Sequence, residues 1–182
     1  MRIFRYLDQA GAMGFGRFDE QGQTFRILKK EDGDFEVTDE KITPFQLLTP
    51  IDFRCIYGVG LNYKAHAKEI GREMPKHPMI FMKAATSIQN PGDPIVLPRF
   101  LRSDKVDYEG ELGVIIGRPC KNAKPEEALS YVLGYTCVND VSARDWQKEK
   151  GEGQFCRGKS FDTFCPSGPC LTTADEIPDP SK

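Results

Sequence analysis

Asp107, Glu109 and Glu111 stand two residues apart in the stretch DYEGELGVII, and alternate residues of an extended strand share a face. Three carboxylates on one face repel one another unless a cation neutralises them. An all-oxygen set suits a hard divalent ion, Mg²⁺ or Ca²⁺, rather than zinc; the other reading is a solvated acidic face on an edge strand. Asp140 follows the apolar and aromatic run Tyr131–Val138. A carboxylate there enters a site from the end of a buried strand or, equally, closes the strand in an Asx turn with Asn139. His66 and Glu69 are three apart and share one face of a helix, so the carboxylate can orient the imidazole as a general base on water; ordinary surface pairs have the same spacing. Lys159, in RGKSFD, lies among small and aromatic residues rather than in a charge run, where it can hold an anionic substrate or pair with Asp162. Gly58-Val-Gly60 lacks the GxGxxG pattern, so no nucleotide site is expected.

The elements that must position these groups follow from turn and periodicity signals. RIFRYL, GAMGFGRF and QTFRILKK are short β-like pieces broken by glycines and charged turns, and Thr43-Pro44 before FQLL predicts a short helix start. Residues 1–50 thus read as a small β-rich N-terminal module, with the chemistry concentrated in 51–182. There, strands are predicted over Arg54–Gly60, Met79–Met82, Asp107–Ile116 and Tyr135–Asn139. A helix is predicted over Leu61–Ile70, capped near Asn62 and stopped by Gly71, and another over Pro125–Leu133, with proline at its first position. Ser142-Ala-Arg-Asp145 has capping-box spacing ahead of a polar helix. The Pro-rich stretches 74–78 and 91–98 read as ordered loops.

Composition limits the classes of function. With 182 residues, 25 Lys+Arg against 27 Asp+Glu and a net charge of −2, the chain lacks the basic stripe of a nucleic-acid binder. No apolar run approaches the ~20 residues of a membrane span. Six cysteines without a Cys-x-x-Cys read as reduced, mostly buried thiols of an intracellular protein, cytoplasmic or of the mitochondrial matrix. The N-terminus MRIFRYLDQAG has no long apolar stretch, so no signal peptide is expected.

Taken in order, GVGLNYKAHAKE (58–69), PMIFMK (78–83), DYEGELGVIIG (107–117), GYTCVNDVSARDWQ (134–147) and GKSFDTFCPSGP (158–169) resemble the fumarylacetoacetate hydrolase family. SARDWQ and FDTFCP look closest to its branch called fumarylacetoacetate hydrolase domain-containing protein 2. The resemblance implies an α+β fold, a mixed β-roll or sandwich with short helices. It implies that Glu109, Glu111 and Asp140 hold Mg²⁺, with Ca²⁺ or Mn²⁺ as substitutes, and that Asp107 stands outside the ligand set. His66 and Glu69 fall on the family's catalytic dyad and Lys159 on its lysine. Arg144 and Gln147 fall on its substrate-orienting residues, and Lys83 falls on a strand that would place it at the anion-binding rim. The implied reaction is hydrolytic C–C cleavage of an acylpyruvate-type 1,3-dicarbonyl acid through an enolate held on the cation. Tautomerisation or decarboxylation of oxaloacetate and dienoate isomerisation are alternatives on the same residues. The implied partners are a small anionic oxo acid and a second copy of the chain, as a homodimer. Family members continue into a Gly/Thr-rich segment with no counterpart here, so the C-terminal part of the fold is expected to be absent. A non-catalytic remnant that binds a metal or a partner is the alternative of another class.

Overall fold

Residues 2–48 are short apolar and aromatic runs separated by glycines and charged turns, the pattern of short antiparallel strands. In the computed structural model, which describes the backbone of residues 1–22, 25–31 and 34–181 and side chains outside 26–35 and 39, they form five strands. These are β1 (Arg2–Leu7), β2 (Met13–Phe18), β3 (Phe25–Glu31), β4 (Asp34–Ile42) and β5 (Gln46–Leu48). The first four make a meander, and β5 pairs antiparallel with the far half of β1, Arg5 opposite Leu48. The helix predicted after Thr43-Pro44 is therefore a strand. Local helix-start chemistry gives way there to the open edge of β1, which accepts β5 at Tyr6 and Leu7. Rings of Phe4, Phe18 and Phe25 meet with centroids 4.7–4.9 Å apart. Gly16 permits this stacking, because a Cβ there would lie 2.3 Å from the Phe4 ring.

The rest of the chain contributes β6 (Ile56–Gly60), helix α1 (Lys64–Glu69), β7 (Met79–Lys83), β8 (Ile88–Gln89), β9 (Val106–Asp107), β10 (Gly110–Ile116) and β11 (Val132–Asn139). After these come β12 (Ser142–Ala143), helices α2 (Arg144–Lys148) and α3 (Phe155–Lys159), β13 (Cys165–Pro166) and β14 (Leu171–Thr173). One sheet runs in the order β10-β11-β14-β1-β2-β3-β4, so the N-terminal strands continue the sheet that carries the acidic strand β10. Three two-stranded pieces flank it: β6 with β7, β12 with β9, and β13 parallel to β8. Mostly strands with a few short helices, this is the expected α+β class. Residues 125–131 form a 3₁₀ helix rather than an α-helix, and α1 starts after Tyr63 without a side-chain cap. Gly71 does end α1, in the left-handed region at φ 65°.

The strand predicted over Asp107–Ile116 is broken. β9 stops at Asp107, pairing with Ser142, and β10 starts at Gly110, pairing with Asn139. Glu109 sits in the gap, with its amide held by the Asn139 side chain at 3.1 Å and its carbonyl accepting from the Asp140 amide at 2.9 Å. The cysteines depart from expectation as well. All six are free thiols, but Cys55, Cys120, Cys137 and Cys156 are exposed and only Cys165 is buried.

Val141, Ala143 and Phe164 form a buried cluster against which Val106, Trp146 and Phe161 pack. The predicted capping box at Ser142 does not form, because Ser142 belongs to β12 and helix α2 begins without a side-chain cap. Asp145 instead ties α2 to the 101–105 loop, accepting from Ser103 Oγ at 2.5 Å and Lys150 Nζ at 2.8 Å, while Trp146 Nε1 donates to the Leu101 carbonyl at 3.0 Å. Burial works to raise the Asp145 carboxyl, but the Lys150, Ser103 and Trp146-amide donors outweigh it and hold the group down to about 2. A carboxyl depressed in the folded state adds stability above its unfolded value of about 4 and loses it as the pH falls towards 2. Asp145→Asn should therefore be less stable than wild type at pH 7, and the gap should close between about pH 4 and pH 2. Urea midpoints measured across that range test this; a gap independent of pH would contradict it.

Candidate active site

Glu109 lies just before β10 and Asp140 just after β11, on neighbouring ends of one antiparallel pair, while Glu111 is two residues further along β10 on the face of Glu109. Their carboxylates converge, with one oxygen of each within 4.8 Å of the others. Asp107, on the other side of the break, turns away to Arg144, whose Nη2 and Nε reach its Oδ2 at 2.8 and 3.0 Å. The four-carboxylate neighbourhood thus divides into a trio and an outlier.

Basic side chains reach two of the three. Lys159 Nζ donates to Glu109 Oε2 at 2.8 Å, Asp140 Oδ2 at 2.6 Å and Ser142 Oγ at 2.7 Å. It is buried and pairs with the acidic cluster, not with Asp162. Arg144 Nη1 donates to Glu109 Oε1 at 2.5 Å and to Gln147 Oε1 at 3.1 Å. Burial pushes the Glu109 carboxyl up, but Lys159 and Arg144 more than offset it and hold it below the usual range. Glu111 has no ion pair of its own among the described residues. Its burial, with Asp140 and Glu109 close by, raises it to about 7. A half-buried carboxylate that lacks an ion-pair partner among the described residues beside two more, all offering oxygen, fits a hard divalent cation.

Lys83 is not at the rim. Only 3% exposed at the end of β7, it lies behind Asp140 and donates to Oδ1 at 2.5 Å. Alternation along β7 explains this, since Phe81 and Lys83 face inward while Ile80 and Met82 between them are exposed. His66 Nδ1 is 3.4 Å from Glu69 Oε2, and the two side chains are 55% and 77% exposed. They form a loose pair on the outer wall. A single cavity of about 1200 Å³ is lined by His66, Glu69, Asp107, Glu109, Glu111, Asp140, Arg144, Gln147 and Lys159, so every predicted site residue except Lys83 borders it. Ser142 and Asn139 were missed as site residues. Ser142 was detectable, since position i+2 from Asp140 in extended backbone shares its face.

A family model described as fumarylacetoacetate (FAA) hydrolase C-terminal matches residues 55–182. A relative from Burkholderia multivorans is 54% identical over 123 residues, covering 68% of this chain and 43% of that protein. The chain spans about half the length of the curated relatives it matches, from 43% to 65% for the first two. Among solved structures, the fumarylacetoacetate hydrolase of psychrophilic Exiguobacterium antarcticum is similar with a TM-score of 0.81 and 34% identity, over 100% of this chain and 69% of that one. The 5-carboxymethyl-2-hydroxymuconate delta-isomerase of Mycobacterium smegmatis has a TM-score of 0.79 and 38% identity, over 95% of this chain and 67% of that one. These likenesses concern the family and not a branch within it. No helix among the described residues is long and apolar enough to cross a membrane, and prokaryotic relatives give no support to a mitochondrial location.

Proposed function

The chain belongs to the fumarylacetoacetate hydrolase family, and from that membership we propose that it is a divalent-cation-dependent hydrolase cleaving a C–C bond of an acylpyruvate-type 1,3-dicarbonyl acid. One observation carries this reading: the carboxylate trio, two cations that reach it and a His–Glu pair border one cavity. A hard divalent cation, Mg²⁺ first among them, held by Glu109, Glu111 and Asp140 would supply Lewis-acid charge for the oxygens of the oxo acid.

The chain's own groups account for the remaining steps. Arg144 and Gln147, tied to each other, orient the substrate carboxylate from the α2 side. Glu69 accepts at His66 Nδ1, which leaves Nε2 as the atom that takes a proton from water. The water oxygen adds to the distal carbonyl, the C–C bond breaks, and its electron pair goes to the 2-oxo acid fragment as an enolate. His66 Nε2 then returns the proton to that carbon. Lys159, fixed by three acceptors, keeps a positive charge beside the developing oxyanion without having to reorient.

A second reading, enolisation or isomerisation of an oxo acid, is favoured by the 38% identity to a delta-isomerase. It is also favoured by the exposure of His66 and Glu69, since shuttling a proton needs no water held in place. His66→Ala separates the two. Hydrolysis of acetylpyruvate, followed by ultraviolet absorbance with magnesium, should fall by about 10²-fold or more, while oxaloacetate enolisation that survives the substitution would favour the second reading. Wild-type protein that binds magnesium yet turns over neither compound would instead be a non-catalytic binder.

A further inference from the structure

The cavity has two chemically distinct halves. Besides the carboxylates it is lined by the rings of Phe81 and Phe155 and by Val59, Leu61 and Ile70. The two rings lie 5.8 Å apart at 60°, and Lys159 Nζ is 5.1 Å from the centre of the Phe81 ring. The aromatic surface therefore begins beside the lysine that bridges Glu109 and Asp140. Its seating depends on bare backbone. A Cβ on Gly58 would lie 2.1 Å from Phe81, and one on Gly60 would lie 3.1 Å from Phe155. The Gly-Val-Gly of β6 is the flat bed on which two aromatic rings rest.

We propose that the Phe81–Phe155 pair seats the acyl arm of the substrate, and that this protein selects 2-oxo acids whose arm is alkyl or aryl over those whose arm ends in a second carboxylate. The inference rests on the oxo-acid function proposed above and extends it to the substrate class. With the oxo-acid head at Arg144 and the carboxylate trio, the arm leaves across the aromatic pair. Among the described residues the cation next to that pair is Lys159, whose hydrogen bonds are already committed to Glu109, Asp140 and Ser142. Arg72 and Lys148 also line the cavity, but both are exposed to water, where a carboxylate gains little by leaving solvent. Transfer of apolar carbon from water to an aromatic wall is favourable and grows with arm length.

The test is a binding ladder by calorimetry on the magnesium-loaded chain, using pyruvate, 2-oxobutyrate, 2-oxohexanoate and 2-oxoadipate. Affinity should rise along the first three, and 2-oxohexanoate should bind about tenfold or more tightly than 2-oxoadipate, as expected for a few half-buried methylenes. Phe155→Ala should reduce that preference to about threefold or less, and Phe155→Leu, which keeps apolar bulk, should retain most of it. Phe155 is half-buried, so these changes are compatible with folding, and the wild-type ladder alone is decisive if they are not. Equal or tighter binding of 2-oxoadipate, a flat ladder or no binding at all overturns the proposal. Failure to turn over acetylpyruvate alongside a steep ladder would count against the hydrolase reading and leave the aromatic seat standing.

Discussion

Magnesium should bind about tenfold more weakly at pH 6 than at pH 8, with the affinity levelling off above pH 8. Glu111, pushed to about 7 by burial and by the charges of Asp140 and Glu109, must lose its proton before it can coordinate. Below that value each pH unit then lowers the apparent affinity about tenfold, and binding releases about one proton. Without the cation the sign reverses for folding. A carboxyl raised in the folded state contributes stability that is full below its unfolded value of about 4.3 and is lost as the pH rises through 7. Glu111 is thus a liability at pH 8 that magnesium relieves. Glu111→Gln should abolish the pH dependence and weaken magnesium by about 100-fold or more, since even residues that only support ligands are worth 10–100-fold. The cation-free variant should be no less stable than wild type at pH 8. Calorimetric titrations at pH 6, 7 and 8 with urea midpoints in chelator measure both effects. A pH-independent affinity, or a Glu111→Gln protein that binds like wild type, would remove the trio as a cation site.

Much of this site was legible because it is built from short-range rules. The two-residue spacing of Glu109 and Glu111, and Asp140 at the end of an apolar run, survive whatever the rest of the chain does, because a ladder of hydrogen bonds between β10 and β11 brings their ends together. The resemblance to a family then selected one reading where spacing alone left two. What was not legible depends on partners distant in sequence. The break at Tyr108-Glu109 is imposed by β9 leaving to pair with β12, which separates Asp107 from the trio although Asp107, Glu109 and Glu111 share one alternation in sequence. The residues after Thr43-Pro44 enter strand β5 because β1, some forty residues earlier, offers an edge. Ser142 looked like a helix cap because capping boxes are local patterns, yet its hydroxyl is taken by Lys159 seventeen positions on.

Lys83 illustrates the same point with the larger energetic consequence, because a lysine read as a rim residue proves to be a buried strut. Its ammonium and the Asp140 carboxylate are 2.5 Å apart with side chains 2% and 3% exposed. Removing one partner of a buried pair leaves the other charge without compensation, which costs about 3–5 kcal/mol. Lys159 still holds Asp140 Oδ2, so Lys83→Met should fall near the lower end, about 3 kcal/mol in chelator. The site should partly repair itself with magnesium. Asp140 is a proposed ligand, and a divalent cation restores the positive charge that the substitution removes, so saturating magnesium should raise the urea midpoint of Lys83→Met more than that of wild type. Kinetics distinguish the strut from a rim residue. An anion-binding lysine at the rim would, when removed, raise KM for the oxo acid and leave folding stability and kcat nearly untouched. A strut behind a metal ligand lowers stability and kcat and changes KM little. Urea midpoints with and without magnesium, read beside kcat and KM for acetylpyruvate, decide between them: a stable Lys83→Met protein with a raised KM would return Lys83 to the substrate.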